Sequence, residues 1–155
     1  MKVNGKHYRS LWWNDSADVL EIIDQRWLPH ELREQHVTTM QDFANAISEM
    51  RVRGAPLIGA TAAYGMARAM TEDPTNANLD NAWAFLEKTR PTAINLRWAL
   101  NRCREFLQPL PEVERASAAL NLAHEIADED VEINRNIGVN AVSYTHLTLP
   151  TILRV

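Results

Sequence analysis

The middle of the chain carries an almost continuous run of apolar and small residues. From Leu57 to Met70 nearly every position is of this kind, and a helix that is apolar on most of its circumference is typical of a core element. Pro56 suits the first turn of such a helix, because its missing N–H has no partner there and its φ is already helical. The smallest side chains would let a neighbouring backbone approach closely: Gly59, Ala62, Ala63 and Ala67. The pattern therefore predicts a buried helix beginning just after Arg53-Gly54.

The N-terminal part of the chain has the shorter pattern of strands. Residues 7–13 and Val19 to Asp24 are predicted as two strands, and the turn-forming residues 14–18 between them predict a hairpin. A third short strand is predicted at Gln35 to Thr38. Three tryptophans are predicted to pack within this small sheet, with an aromatic platform for a ligand as the alternative: Trp12, Trp13 and Trp27.

Helical spacing of apolar residues returns on both sides of the central run. Thr38 and Gln41 have the spacing of a capping box, and they predict a helix with Phe43, Ala46, Ile47 and Met50 on its inner face. After a polar loop, Trp83 and Leu86 indicate a short helix ending at Thr89.

Two more helices follow. Thr92 is a candidate cap for a helix that carries Leu96, Leu100, Cys103 and Leu107 along one stripe. Glu112 to Ile137 is predicted as a long amphipathic helix with Gly138 as its terminator. Its predicted inward positions are Ala116, Ala119, Leu120, Ala123, Ile126 and Ala127. We therefore predict an α+β fold, in which a small antiparallel sheet is followed by a helical subdomain of about five helices.

Composition and charge narrow the function classes. The chain has 155 residues, 46% of them hydrophobic and 23% charged, which is ordinary for a globular domain with a core. A net charge of -4 gives no electrostatic reason to expect nucleic acid or an anionic membrane as a partner. One cysteine excludes an internal disulfide. With no apolar segment before residue 11, we predict a cytoplasmic protein without a leader or a membrane span.

The start of the buried helix is the place where chemistry could lie. Free backbone N–H groups and the positive end of the helix dipole, with Arg53 beside them, form a site suited to an anion. The alternative is an ordinary buried helix in which Gly54 only permits a turn. Both interpretations remain open on the residues alone.

Other residues whose side chains could react or bind a metal have a simpler interpretation. Cys103 lies on the apolar stripe of its helix and is predicted to be a small buried hydrophobe. The acidic residues between Glu125 and Glu132 are predicted to form a solvated face rather than a metal site, since no histidine lies at ligand spacing. The five histidines show no triad or ligand arrangement.

Three motifs together resemble one known family. Arg53-Gly-Ala-Pro-Leu-Ile-Gly59, with the Ala-Tyr-Gly that follows it, is similar to the signature of the methylthioribose-1-phosphate isomerases of methionine salvage. Ile23-Asp-Gln-Arg-Trp-Leu-Pro29 and Arg90-Pro-Thr-Ala-Ile-Asn-Leu96 resemble the same family, in the same order. The resemblance extends from about Leu11 to Ala141.

The resemblance implies a reaction and a set of site residues. The family converts 5-methylthioribose 1-phosphate into 5-methylthioribulose 1-phosphate, and hydrogen moves either as a proton through an enediol or as a hydride. Arg53, Gly54 and Ala55 match its substrate-binding triplet, and Arg90 matches its second substrate-binding arginine. Arg90 could instead pair with a carboxylate and only shape its loop. The chemistry requires no cofactor, neither a metal nor a nicotinamide.

The family also implies parts that are expected elsewhere. Its catalytic cysteine and aspartate are expected beyond residue 141, in a larger Rossmann-like C-terminal domain, so Cys103 is not that cysteine. Full-length relatives are expected to be homodimers that bind a sugar phosphate, with no nucleic acid and no membrane as partners. We therefore expect residues 1–141 to be the N-terminal domain of such an isomerase and this chain to be inactive alone.

Three alternatives remain beside the isomerase. The first is an isomerase of ribose 1,5-bisphosphate, and the second is a non-catalytic regulatory subunit of a translation-initiation exchange factor, which shares the fold. The third is a purely structural helical module. The extended motifs at Arg53 and Arg90 favour the methylthioribose enzyme.

The last residues differ in character from the rest. Val142-Ser-Tyr-Thr-His-Leu-Thr-Leu-Pro-Thr151 continues neither the helical pattern nor the pattern of the family. It resembles the translation of a transposon-end adaptor used in DNA library preparation. We therefore expect residues 142–155 to be a non-native tail, with a genuine divergent tail as the alternative.

Overall fold

The structure, a computed structural model, describes the backbone of residues 2–3 and 5–152 and the side chains of residues 3 and 5–142. Within this part, five short strands precede five helices, which confirms the predicted α+β class. The strands form two antiparallel sheets, and the second has the order β3-β4-β5. Their bounds are β1 Lys2–Val3, β2 Lys6–His7, β3 Leu11–Asn14, β4 Val19–Ile23 and β5 Glu34–Val37.

The central strand β4 anchors the three-stranded sheet. All five of its residues are buried. One strand flanks it on each side, and Leu20 and Ile22 pack into the core that the helices share. The hairpin between β3 and β4 is confirmed, with Asn14 paired to Val19. The Asn14 side-chain oxygen accepts the backbone N–H groups of Ser16 and Ala17, the geometry by which asparagine stabilises turns.

The predicted strand over residues 7–13 is in fact two segments in different sheets. Tyr8, between them, belongs to neither strand. Its ring lies edge-on against Trp12, with 5.9 Å between ring centroids. Trp13 packs against the core. Trp27 is 43% exposed, with the Arg33 guanidinium 3.5 Å from its ring centroid. The prediction that Trp27 packs within the sheet is therefore wrong.

The helices are arranged around α2, which is the predicted buried helix. The five bounds are α1 Met40–Ser48, α2 Ala55–Glu72, α3 Asn76–Glu87, α4 Ile94–Leu107 and α5 Glu112–Ile152. Helix α2 contacts all four of the others. From Ile58 to Met70 every residue except Arg68 is buried, so the apolar run forms the centre of the core.

Helices α2 and α4 approach each other at Gly59. A Cβ atom added to Gly59 would lie 3.0 Å from the backbone oxygen of Asn95 and 3.4 Å from the Cβ of Ala99. Gly59 is in the second turn of α2, and Asn95 is in the first turn of α4. The contact therefore brings the N-termini of both helices to the same end of the fold.

Two predicted caps are displaced by one residue. Helix α1 has its capping box at Thr39 and Asp42, not at Thr38 and Gln41. The Asp42 carboxylate accepts the N–H of Thr39 at 3.0 Å, and Thr39 Oγ1 accepts the N–H of Asp42 at 3.1 Å. An aspartate therefore takes the position in the capping box that was predicted for a glutamine. The N-cap of α4 is Ala93, without a side-chain cap, rather than Thr92.

Two helix ends also differ from the predictions. Met50 is 42% exposed, because α1 ends at Ser48 and Met50 takes the left-handed backbone with φ 60°. Helix α5 does not end at Gly138 but continues to Ile152, since one glycine in an otherwise helical segment costs only about 1 kcal/mol. Of the predicted tail, residues 153–155 and the side chains from residue 143 onward lie outside the described part.

The remaining α5 predictions are mostly confirmed. Ala119, Ala123, Ile126 and Ala127 are buried, together with Leu122, whereas Ala116 and Leu120 are only partly buried. No helix in the described part of the chain is both long and apolar enough to span a lipid bilayer.

Candidate functional site

The N-terminus of α2 leaves backbone donors without acceptors. Gly54 is its N-cap, at φ 98° and ψ 131°, and no side chain caps the helix. The first helical bond runs from the N–H of Ile58 to the oxygen of Gly54, at 3.1 Å. Pro56 has no N–H, so the free donors of the first turn belong to Ala55 and Leu57. Among the described residues no backbone acceptor bonds to either of them.

Gly54 is required by this backbone. Its φ of 98° lies in a region that side chains disfavour, although an added Cβ would meet nothing within 4 Å. The constraint is therefore conformational and not a matter of space. It is what lets the chain turn into α2 with the Arg53 side chain and the free N–H groups at one end.

Arg53 is exposed beside these donors. Its Nε donates to the backbone oxygen of Met50 at 3.4 Å. No carboxylate in the described part of the chain forms an ion pair with its guanidinium, whereas most of the other arginines there have such a partner. The terminal nitrogens of Arg53 therefore remain available to an anion.

A cleft of about 500 Å³ opens at this helix start. One wall is the N-terminal segment His7 to Leu11, and another is the start of α2 with Arg53, Gly54 and Pro56. The third wall is α5, which contributes Asp130 and Asn134. The cleft thus places cationic and N–H donors on one side and a carboxylate on the other.

The α5 wall is ordered by its own hydrogen bonds. Asn134 Nδ2 donates to the backbone oxygen of Asp130 at 2.8 Å and to its carboxylate at 2.9 Å. Asp128, two residues earlier, pairs with Arg9 of the opposite wall. A ligand with an anionic group and several hydroxyls matches this arrangement, because Arg53 and the N–H groups bind the anion and Asp130 accepts hydroxyl hydrogens.

Arg90 does not line this cleft. It is half-buried in the α3–α4 loop, where its backbone oxygen accepts the N–H of Ala93 at 2.9 Å. Within the described residues its side chain has no ion pair, so the predicted alternative, pairing with a carboxylate, finds no partner there. A second cavity of about 380 Å³ adjoins the first, since both are lined by Pro56 and Asp130, and it is also lined by Ile94 at the start of α4. The start of α4 thus borders a cavity that adjoins the Arg53 cleft, whereas Arg90 lines neither of the two.

An aromatic cluster around the buried Tyr64 joins β3, α2 and α5. The Tyr64 hydroxyl lies 2.8 Å from His124 Nδ1, and Trp13 stacks on Tyr64 with 5.6 Å between ring centroids. Burial is the main cause that raises the pKa of Tyr64, so the phenol stays protonated. Nothing in the sequence pattern pairs positions 60 residues apart, and His124 was therefore given no role.

The predicted burial of Cys103 is confirmed, and two of the acidic residues of α5 pair with an arginine. Cys103 is fully buried, and burial raises the pKa of its thiol to about 12. Glu125 and Glu129 bind the Arg102 guanidinium of α4, which lowers the pKa of Glu129. In the part of the chain that the structure describes, no group of three His, Cys, Asp or Glu residues is placed to hold a metal ion.

Known proteins share both the sequence and the fold of this chain. A family model described as "Initiation factor 2 subunit family" matches residues 51–152. The methylthioribose-1-phosphate isomerase of Brucella anthropi is 60% identical over 142 residues, covering 92% of this chain and 39% of that protein. The enzyme of the same name from Sinorhizobium medicae is 58% identical, with the same coverage.

Two crystal structures resemble the fold equally well. The 5-methylthioribose 1-phosphate isomerase of Pyrococcus horikoshii OT3 has a TM-score of 0.73 and 36% identity, over 82% of this chain and 38% of that one. The translation initiation factor eIF-2B subunit delta of A. fulgidus has a TM-score of 0.73 and 36% identity, over 81% and 38%.

The chain spans about 39% of the length of the curated relatives it matches. The family model covers about two thirds of the chain, including α2 with its uncapped N-terminus and the loop that holds Arg90. The chain therefore belongs to the initiation factor 2 subunit family.

Proposed function

We propose that this chain is the substrate-binding N-terminal domain of an S-methyl-5-thioribose-1-phosphate isomerase. The reaction isomerises an aldose phosphate to 5-methylthioribulose 1-phosphate within methionine salvage, in the cytoplasm. The names of relatives 45–60% identical to the chain support this assignment. Its substrate is a sugar phosphate, and the complete enzyme is a homodimer.

One observation carries the proposal. The Arg53 guanidinium has no carboxylate partner among the described residues, and it lies beside the free N–H groups of the first turn of α2 in a cleft of about 500 Å³. Charge-assisted hydrogen bonds from arginine and from a helix N-terminus are the standard means of holding a phosphate. Arg53, Gly54 and Ala55 thus hold the substrate phosphate. Arg90 is proposed as a second substrate-binding arginine from the loop before α4, and the close contact of α2 with α4 at Gly59 supports this role.

Binding at this site would support catalysis that occurs elsewhere. The phosphate supplies binding energy away from the reacting carbons and fixes their position. We expect the acid or base and the group that stabilises the reacting centre to lie beyond residue 141. We therefore expect no turnover by the 155-residue chain.

Calorimetric titration with 5-methylthioribose 1-phosphate tests the proposal. The chain is expected to bind it, and Arg53→Gln is expected to weaken the affinity about tenfold or more, because a charge-assisted contact is lost. Arg33→Gln is the matched control, since Arg33 pairs with Glu31 and does not line the cleft. Unchanged affinity in Arg53→Gln would refute the assignment of the phosphate site.

The same titration separates the alternatives. Tighter binding of ribose 1,5-bisphosphate would favour the related isomerase. The likeness to the A. fulgidus initiation-factor subunit keeps a non-catalytic regulatory subunit as the second candidate. Absence of any sugar-phosphate binding, with the fold intact, would favour that candidate.

We further propose that residues 142–155 are a non-native tail translated from an adaptor. The adaptor-like run Val142 to Thr151 supports this, although α5 remains helical to Ile152. Re-reading the source DNA across codons 136–155, by a method without ligated or transposed adaptors, tests it. A frame that continues past Ala141 into further coding sequence is expected. A genomic sequence identical to residues 142–155 and followed by a stop codon would overturn the proposal.

A further inference from the structure

A chain of ion pairs connects the loop after β4 to the segment between α1 and α2. The Asp24 carboxylate is 3% exposed and binds Arg26 at two points, Nε to Oδ1 at 2.9 Å and Nη2 to Oδ2 at 2.7 Å. The third nitrogen of Arg26, Nη1, binds Glu49 Oε2 at 2.9 Å. Glu49 Oε2 also accepts Arg51 Nε at 3.0 Å. Four side chains thus form one continuous network that ends two residues before Arg53.

Backbone hydrogen bonds fix the same segment. The N–H of Gln25 donates to the oxygen of Arg51 at 2.8 Å, which ties the loop after β4 directly to the residues before α2. The N–H of Val52 donates to the oxygen of Ala46 at 3.2 Å, and Val52 is fully buried. Positions 51 and 52 are therefore held from two sides, and Arg53 follows from a fixed backbone.

The segment before α2 contains a backbone conformation that is unfavourable by itself. Met50 has φ 60°, a left-handed conformation that residues other than glycine disfavour. Such a conformation persists where the surrounding structure over-determines it. The oxygen of Met50 is also the acceptor for Arg53 Nε, so the same strained residue sets the direction of the Arg53 side chain.

We propose that Arg26 is a positioning residue for the phosphate site, which it serves by holding the backbone of residues 49–52 so that Arg53 and the free N–H groups of α2 face one ligand together. The inference rests on the proposed function of that site. Arg26 itself does not line the cleft, so its effect on a ligand there would be indirect. Hydrogen bonding from Arg26 is the largest cause that lowers the pKa of Asp24, so the pair is ionised at neutral pH.

The Arg53 guanidinium and the N–H groups of Ala55 and Leu57 must be placed together to bind one phosphate well. A shift of an ångström in one of them loses hydrogen-bond geometry while leaving the fold intact. Loosening residues 49–52 would therefore lower anion affinity through Arg53, and it would have little effect once Arg53 is gone.

The experiment titrates the 155-residue chain with inorganic phosphate and follows the backbone amide signals of Gly54, Ala55 and Leu57 by NMR. Arg26→Gln is expected to weaken phosphate binding about five- to tenfold. Arg26→Lys is expected to restore part of the affinity, since it keeps the charge but not the planar three-way contact. Arg33→Gln, in the same loop and with the same charge change, is the matched control and is expected to bind like the wild type.

A second variant guards against misfolding of the first. Glu49 is an exposed residue, so Glu49→Gln keeps the buried Asp24–Arg26 pair and removes only the bridge to Arg51. It is expected to weaken phosphate binding in the same direction, with an unchanged melting temperature. In the Arg53→Gln background, Arg26→Gln is expected to have no further effect on phosphate affinity.

The outcomes separate this inference from the proposed function. No phosphate-dependent shift at Gly54, Ala55 and Leu57 in the wild type would refute the phosphate site itself, and the inference with it. Loss of binding in Arg53→Gln but wild-type affinity in both Arg26→Gln and Glu49→Gln would leave the site standing and overturn the positioning role. A further loss from Arg26→Gln in the Arg53→Gln background would also overturn it, because the effect would then not act through Arg53.

Discussion

The contact between α2 and α4 predicts that Gly59→Ala destabilises the protein. Alanine is the better helix former, and in an open helix position the substitution would stabilise by about 1 kcal/mol. At Gly59 the added Cβ would lie 3.0 Å from the backbone oxygen of Asn95 and 3.4 Å from the Cβ of Ala99. Neither atom is the end of a flexible side chain, so one helix must shift against the other.

The magnitude follows from the two opposing effects. Overpacking of a close contact costs up to about 3 kcal/mol, and the gain in helix propensity returns about 1 kcal/mol. We therefore expect a net loss of about 2 kcal/mol in the free energy of unfolding. For a domain of this size that corresponds to a fall in Tm of about 4–8 °C.

Urea unfolding followed by circular dichroism measures this loss. Gly138→Ala is the matched control, because an added Cβ there meets nothing within 4 Å. It is expected to leave stability unchanged or raise it by up to about 1 kcal/mol. A Gly59→Ala protein as stable as the wild type, or more stable, would refute the close approach of the two helices.

Three further changes have definite expected outcomes. Asp24→Asn is expected to cost about 2 kcal/mol at pH 7 in urea unfolding, because the Arg26 guanidinium loses the buried one of its two carboxylate partners. The pKa of Asp24 in the folded protein lies below its ordinary 3.8. The stabilisation is therefore fully present above pH 3.8, and the difference from the wild type shrinks as the pH falls from there through the folded pKa. Cys103 is expected to resist a disulfide reagent at pH 8 in the folded chain and to react once the chain is unfolded, because the thiolate is the reactive form. Thr39→Ala, which breaks the capping box with Asp42, is expected to cost about 1 kcal/mol of unfolding free energy.

The two substitutions have matched controls. Asp15→Asn, in an exposed turn, is expected to leave stability and its pH dependence unchanged. Thr92→Ala is expected to have little effect, since α4 has its N-cap at Ala93 without a side-chain bond. An Asp24→Asn protein with wild-type stability at pH 7, a Thr92→Ala loss as large as that of Thr39→Ala, or a Cys103 thiol that reacts before unfolding would contradict the respective reasoning.

Patterns within one element could be predicted from the sequence because they depend on neighbouring residues. The apolar run after Pro56 predicted α2, and the turn residues 14–18 predicted the β3–β4 hairpin. The stripe that contains Leu100 and Cys103 predicted the buried face of α4. In each case burial of apolar side chains decides the structure, and the spacing of apolar residues along the sequence shows which face is buried.

Element ends were less predictable, because they depend on single hydrogen bonds. At the start of α1 the predicted cap was Thr38, but the neighbouring Thr39 caps the helix because Asp42 bonds back to it. Met50 was expected on the buried face of α1, but the helix had already ended two residues earlier. Gly138 was predicted to end α5, but the helix continues through it.

The site could be predicted only in part. Arg53 and Gly54 follow from a helix start rich in glycine and proline, and they do line the cleft. The other walls come from residue 9 and from Asp130 and Asn134, more than 100 residues apart in sequence. No local pattern pairs such positions, and only the packing of α5 against α2 brings them together. For the same reason the sequence did not reveal that Arg90 lies outside this cleft.

Our main proposal is that this chain provides the phosphate-binding N-terminal domain of an isomerase. It is tested most directly by joining residues 1–141 to the remaining C-terminal part of the Brucella anthropi enzyme, which is 60% identical to this chain over the matched region. The chimera is expected to convert 5-methylthioribose 1-phosphate into the ketose, while the 155-residue chain alone does not. Arg53→Gln in the chimera is expected to lower kcat/KM about 100-fold. A folded chimera without turnover, or one in which Arg53→Gln retains full kcat/KM, would contradict the account.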